Sequence, residues 1–157
     1  MELEKLKLRT ANWKDCKQYW DWANDPDVRK CSYISEPIPW EDHVKWFESK
    51  LNDPQSFLLI ATDNKDVPVG QVRFELSNEE SEIHVSIDRK MRGRGYGTLI
   101  IDVGVEELVR QKKIKTVHAF IKLGNEASVQ AFKRSGFVEL TVEDKKGYQS
   151  LHLVKKI

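Results

Sequence analysis

The stretch that decides the fold runs from Glu82 to Gly97 and reads E-I-H-V-S-I-D-R-K-M-R-G-R-G-Y-G. Its first half alternates at the period of a strand: Ile83, Val85 and Ile87 point one way, and Glu82, His84, Ser86 and Asp88 the other. One face is expected in a core and the other toward a cleft. Arg89 to Gly97 then carries four basic residues and three glycines. From Thr98 the pattern turns helical, with Ile101, Val105, Leu108 and Val109 expected on one face. The local order is therefore strand, basic glycine loop, helix.

Such a loop presents successive backbone N–H groups above a helix start, where the macrodipole already favours an anion. Gly93, Gly95 and Gly97 allow positive φ and close approach, and Arg92 and Arg94 add charge suited to phosphate. This reads as a cradle for a diphosphate. Two other phosphate motifs fail: the dinucleotide pattern needs glycine where Thr98 stands, and no G-K-[ST] follows for a P-loop. The plainer alternative is a tight strand-to-helix turn without a ligand.

R-G-R-G-Y-G at Arg92–Gly97 resembles the [QR]-x-x-G-x-[GA] signature of the GNAT superfamily of acyl-CoA-dependent N-acyltransferases. N-E-A-S-V-Q-A-F-K-R-S-G-F, from Asn125 to Phe137, is similar to the family's second signature, an asparagine opening a helix that closes with Gly-Phe. The resemblance implies acetyl-CoA as donor, with Met91, Arg92, Gly93, Arg94, Gly95, Tyr96, Gly97 and Thr98 around its diphosphate. It implies main-chain contacts from Ser86 and Ile87 to pantetheine, and places Asn125 near the pantetheine arm, a role that competes with simple N-capping. It further implies that the strands holding Glu82–Asp88 and Thr116–Ile121 splay apart. One departure stands out: Phe132 occupies the position where many family members carry a tyrosine acid, and phenylalanine has no proton to give.

At 157 residues, the chain is expected to form one GNAT-like domain over residues 1–157, with its 26 basic and 25 acidic side chains nearly balanced. That balance argues against nucleic-acid and membrane-surface binding. No apolar run approaches the roughly 20 residues of a membrane span, and the N-terminus lacks a signal-type core, so a soluble cytoplasmic protein is expected. Cys16 and Cys31 have no spacing suited to zinc or a disulfide framework, and no metal is expected.

In chain order, Leu3–Thr10 reads as a strand. Asn12 caps a helix buried through Trp13, Cys16, Tyr19, Trp20 and Ala23, and Asn24-Asp25-Pro26 ends it. A linking segment leads to a helix near Pro39 with a Trp40, Val44, Phe47 and Leu51 stripe. Strands follow at Ser56–Thr62 and Val67–Leu76, then Glu82–Asp88, Thr116–Ile121, Val138–Glu143 and Tyr148–Val154, with helices after Gly97 and Asn125. The sum is an α/β (α+β) domain: a mixed, mostly antiparallel sheet flanked by about four helices.

Acyl transfer to an amine needs a group to accept a proton, since an alkyl ammonium with pKa near 10.4 has no free lone pair. Glu82 and His84 are two apart on one strand and share a face. His84 is the first candidate base and Glu82 the second, with Glu75 and His118 in reserve. The competing reading makes both solvated polar residues on a strand end.

The segments Trp22–Lys30, Ser35–Ile38 and Glu41–Phe47 resemble acetyltransferases encoded with amino-sugar pathways of surface glycans. Asn24, Asp25, Arg29 and Glu36 are accordingly candidates for acceptor binding, against ordinary turn chemistry around Pro26. The expected acceptor is a small-molecule amine, an amino sugar or nucleotide-linked amino sugar attacked directly in a ternary complex. A protein α-amine, a polyamine and a noncatalytic acyl-CoA-binding module are the alternatives, with a monomer or homodimer as the assembly.

Overall fold

The computed structural model describes residues 5–157. Seven strands form one sheet: β1 (Lys7–Thr10), β2 (Ser56–Thr62), β3 (Pro68–Ser77), β4 (Glu80–Ile87), β5 (Thr116–Lys122), β6 (Val138–Lys145) and β7 (Tyr148–Lys156). Their spatial order is β1-β2-β3-β4-β5-β7-β6, and every neighbouring pair is antiparallel except β4 and β5. Around the sheet lie α1 (Cys16–Ala23), α2 (Pro26–Lys30), α3 (Trp40–Leu51), α4 (Tyr96–Gln111) and α5 (Glu126–Arg134). The expected first strand begins only at Lys7, and its Leu3 end lies outside the described residues.

The two sheet faces are packed differently. On one, α4 and α5 cover Val72, Phe74, Ile83, Val117, Ala119 and Leu153 through Ile100, Ile101, Leu108 and Phe132. Gly104 lets α4 close on β3, since a Cβ there would stand 3.0 Å from the Val72 methyls. On the other face, α1 and α3 cover β2 through Tyr19, Trp22 and Phe47 against Leu58 and Ile60. That cover stops short of β4 and β5, whose polar side chains remain accessible.

Several expected buried positions differ. Trp13 and Trp40 are 53% and 42% exposed, whereas Trp22 and His43 are buried. A 3-10 turn at Trp13–Asp15, closed by the Asn12 and Asp15 capping box, precedes α1. Its three-residue pitch shifts the helical phase, so counting at 3.6 from Trp13 selects Trp20 instead of Trp22. In α3, His43 and Phe47 form the i, i+4 buried pair, with His43 Nε2 2.8 Å from the Cys16 carbonyl. In α4, Val109 lies at the exposed edge of the stripe that Ile100 and Ile101 open.

The expected linker contains α2. Asp25 accepts from the Asp27 amide and Pro26 fills N1, so the residues that end α1 also begin a new helix.

Candidate active site

β4 and β5 pair only at Glu80↔Thr116, Ser81↔Val117 and Glu82↔His118. Beyond Glu82, β4 continues along β3 as far as Ile87, and β5 continues along β7 as far as Lys122. The two strands therefore separate into a V with Glu82 and His118 at its apex. The edge of β4 from Ile83 to Ile87 and that of β5 from Ala119 to Lys122 face each other without pairing. Exposed strand edges of this kind accept an extended, amide-bearing ligand as they would another strand.

The glycine loop closes the β4 side. After a 3-10 turn at Arg89–Met91, Gly93 and Gly95 take φ values of 75° and 85°, and α4 starts at Tyr96. None of the N–H groups from Gly93 to Thr98 donates to a protein acceptor among the described residues. These unpartnered donors at the positive end of a long helix fit a diphosphate. Gly97 brings the first turn of α4 against α5, with Ala131 at 3.5 Å from where a Cβ would lie. Arg94 is exposed, its only polar contact among the described residues being the Met91 sulfur.

Arg92 is used differently from expectation. Its Nε donates to the Ile87 carbonyl at 3.0 Å, and its guanidinium pairs with Asp25 and Asp27. Arg89 joins the same carboxylates. Burial would raise the Asp25 carboxyl, but hydrogen bonds from Arg89, the Asp27 amide and Arg92 hold it below its usual range. Beside them, Trp22 Nε1 donates to Asp88 Oδ2 at 2.8 Å, while Asp88 Oδ1 accepts the Lys90 amide. The α1–α2 corner is thus bolted to the loop that follows β4.

The other end of this segment is fixed to the opposite arm of the V. Lys122 Nζ reaches the Lys30 and Ser32 carbonyls at 3.4 Å, and the Tyr33 hydroxyl lies 2.6 Å from Ser150 Oγ. The segment from Trp22 to Tyr33 consequently bridges the mouth of the V as a roof. Asn24 and Arg29 hold its shape from within. The Asn24 amide exchanges two hydrogen bonds with the Ile38 backbone, and Arg29 binds the Ala23 and Ile34 carbonyls and Ser32 Oγ. Of the candidate acceptor residues, Asn24, Asp25 and Arg29 are therefore engaged in the roof itself, and Glu36 is exposed.

At the apex, Glu82 and His84 share a face as expected, and Glu82 Oε2 lies 2.7 Å from His84 Nε2. The other Glu82 oxygen is bound by Lys145, whose ammonium lies over the Phe120 ring. Burial would raise the Glu82 carboxyl, but its bonds to His84 and Lys145 draw it down to about 2. His84 is lowered, first by burial and then by the charge of Arg73, which the Glu82 contact only partly offsets. At neutral pH the pair is a carboxylate and a neutral imidazole. Because the carboxylate can only accept, His84 carries its proton on Nε2 and presents a lone pair at Nδ1.

The reserve candidates are occupied. Glu75 is bound to Ser56 Oγ, Lys50 and Arg73. His118 Nδ1 lies 2.8 Å from His152 Nε2 and its Nε2 2.8 Å from Glu80, while His152 also reaches Glu143. Asn125 caps α5 by accepting from the Ser128 amide at 3.4 Å. Phe132 is buried edge-on to Phe137 and belongs to the core. Arg73, Lys145, Phe120 and Tyr33 were not singled out by sequence reasoning. The alternation in Q-V-R-F-E would have put Arg73 on the polar face, but Lys145 and Tyr33 arrive through long-range register.

The chain matches the Acetyltransferase (GNAT) domain family over residues 5–138. It is 27% identical over 143 residues to MJ1062, an uncharacterized protein of Methanocaldococcus jannaschii, covering 87% of this chain but only 28% of that one. It is 26% identical over 141 residues to YwnH of Bacillus subtilis (strain 168), provisionally named a phosphinothricin acetyltransferase, with 85% of each covered. In shape it resembles the spermidine N-acetyltransferase of Vibrio cholerae solved with CoA and spermine, at a TM-score of 0.86 and 14% identity, over 97% of this chain and 95% of that one. The open V, the loop of free amides and the family match agree, and the chain belongs to the acetyltransferase (GNAT) domain family.

Proposed function

We propose that this domain transfers an acetyl group to the primary amine of a small acceptor, an amino sugar or nucleotide-linked amino sugar, by direct attack, with His84 as general base. The observation that carries the reading is the Glu82–His84 pair at the apex of the V, where the Glu82 carboxylate holds His84 Nε2 at 2.7 Å and leaves Nδ1 as the lone-pair nitrogen of a neutral imidazole.

Acetyl-CoA bound there supplies an electrophilic thioester carbonyl. In this reading the amides from Gly93 to Thr98 hold its diphosphate, with Met91 and Arg92 shaping the loop around them. The free β4 edge at Ser86 and Ile87 takes its pantetheine, and Asn125 borders that arm from the head of α5. His84 Nδ1 accepts the amine's proton directly or through one water, and Glu82 keeps the ring turned and steadies the imidazolium that forms. Glu82 itself, at about 2, is too weak a base for an amine and acts as a positioning residue. Lys145 holds Glu82 in place, and the charge of Arg73 helps keep His84 neutral. With Phe132 unable to donate a proton, the thiol, whose pKa resembles that of cysteine at about 8.5, departs with its proton supplied by water or by His84.

The acceptor enters beneath the roof whose shape Asn24, Asp25 and Arg29 maintain, past Glu36 at its rim. The likeness to YwnH favours a second acceptor reading, a phosphinothricin-type substrate. Thiol release from acetyl-CoA, followed against amino sugars, nucleotide-linked amino sugars, phosphinothricin, spermidine and peptide amines, tests both. Highest kcat/KM on the sugar amines supports the first; highest on phosphinothricin supports the second. CoA binding without transfer to any amine would leave only a binding module.

A further inference from the structure

Among the described residues, the far arm of the V carries positive charge that no carboxylate pairs with. Lys122 lies on β5 on the same sheet face as His118 and Phe120, because side chains alternate from the Glu82↔His118 rung. Its ammonium contacts two backbone carbonyls at 3.4 Å and sits 3.9 Å above the Tyr148 ring. Neutral dipoles and a π-face solvate a cation without cancelling its charge. Tyr148 in turn lies 6.1 Å from Tyr33, and Lys146 Nζ stands 5.9 Å over the Tyr33 ring. Lys146 has no ion pair among the described residues. It sits at the hairpin turn with φ 52°, a conformation that fixes where its side chain leaves the backbone.

The nearby acids are already matched or turned away. Glu82 is held by His84 and Lys145, and Glu143 lies against His152. Asp144 alternates to the opposite face of β6. In a chain whose total charge is only +1, two ammonium groups without a carboxylate partner among the described residues, framing paired phenol rings, are a local feature with a chemical meaning.

We propose that Lys122 and Lys146, framed by Tyr33 and Tyr148, form an anion subsite, so that the acceptor is an amine that also bears a phosphate or carboxylate. This rests on the acetyltransferase reading above and narrows it. The subsite repels a polyamine and binds the charged end of the acceptor, leaving its amine to reach toward His84 across the V. The shared chemistry is an anionic group, with a sugar phosphate, a nucleotide diphosphate or an amino-acid carboxylate as its sources.

The test compares glucosamine, glucosamine 6-phosphate, UDP-glucosamine, L-glutamate and spermidine as acceptors for the parent, Lys122→Ala/Lys146→Ala and Lys122→Arg/Lys146→Arg. In the parent, anionic acceptors should exceed glucosamine and spermidine in kcat/KM, and whichever anion leads identifies the source. The alanine pair should lower the anionic-to-neutral ratio roughly tenfold or more, mainly through KM, and the arginine pair should recover most of it. CoA affinity and thermal midpoint serve as folding controls. A parent that prefers spermidine, or a ratio unmoved by the alanine pair, overturns the subsite even though transfer occurs. If no amine is acetylated, the transferase reading fails, and calorimetry with UDP-glucosamine still decides the subsite: binding lost in the alanine pair upholds it, and no binding to the parent overturns it.

Discussion

Trp22 and Asp88 join the two halves of the site through a single hydrogen bond, 2.8 Å from the indole Nε1 to Oδ2. Trp22 is 4% exposed in the smaller core, and Asp88 starts the turn that leads into the glycine loop. The roof over the V is therefore anchored in packed structure at the point where the loop of free amides begins. Trp22→Phe keeps an aromatic ring there but removes the donor together with the pyrrole half of the indole. It should cost about 1 to 2 kcal/mol in urea unfolding and weaken CoA binding, with no change in the pH profile of turnover.

A second bolt is Asp25, which caps α2 and pairs with Arg89 and Arg92. Asp25→Ala should lose the cap and the charge matching together, about 1 to 2 kcal/mol of stability. KM for the acceptor should rise more than KM for acetyl-CoA, because the roof moves while the amides from Gly93 stay at the head of α4.

Replacing His84 by alanine should lower kcat about a hundredfold or more while CoA affinity, measured by calorimetry, stays near that of the parent. The acid limb of kcat/KM in the parent should fall below pH 6.5, because burial and Arg73 depress the imidazole. In Glu82→Gln, the group that partly restores His84 basicity is gone, so that limb should shift to still lower pH.

Acid stability follows from the same pair. The folded-state value of Glu82, about 2, lies below its ordinary 4.5. Its contribution is then fully present above pH 4.5 and is lost as pH falls through the window toward 2. The amount is on the order of 3 kcal/mol. His84 has the same sign: its lowered value means that protons favour the unfolded chain below about pH 6.5. Urea midpoints measured from pH 7 to 3 should decline in the parent, and the lower part of that decline should shrink in Glu82→Gln.

Gly95 sits at φ 85° as the residue before α4. Gly95→Val places a β-branched residue in the left-handed region at about 1 to 2 kcal/mol. The loop should relieve that strain by moving, so CoA affinity should drop roughly tenfold with the fold intact.

The sheet, the glycine loop and the Glu82–His84 face were legible because each is written in local periodicity or glycine placement. Ser56–Thr62 is an unbroken apolar run and emerged with the expected ends. Trp22 was missed because a 3-10 turn rephased α1, and α2 because Asn-Asp-Pro both stops one helix and starts another. Lys145 on Glu82, Tyr33 on Ser150 and Lys122 on the Ser32 carbonyl join residues far apart in sequence. Such contacts depend on strand register and on the path of the roof, which no local pattern encodes. Arg92 shows the converse: its position in the motif suggested phosphate, and its neighbours Asp25 and Asp27 took its charge.

The most direct test of the account is an amide NMR titration of the labelled protein with CoA. The N–H resonances from Gly93 to Thr98 should shift together, accompanied by those of β4 beyond Glu82, and should become protected from solvent exchange at saturation. Saturable CoA binding that leaves those amides unmoved, or no binding at all, would contradict the claim that the V and its loop hold the acyl donor.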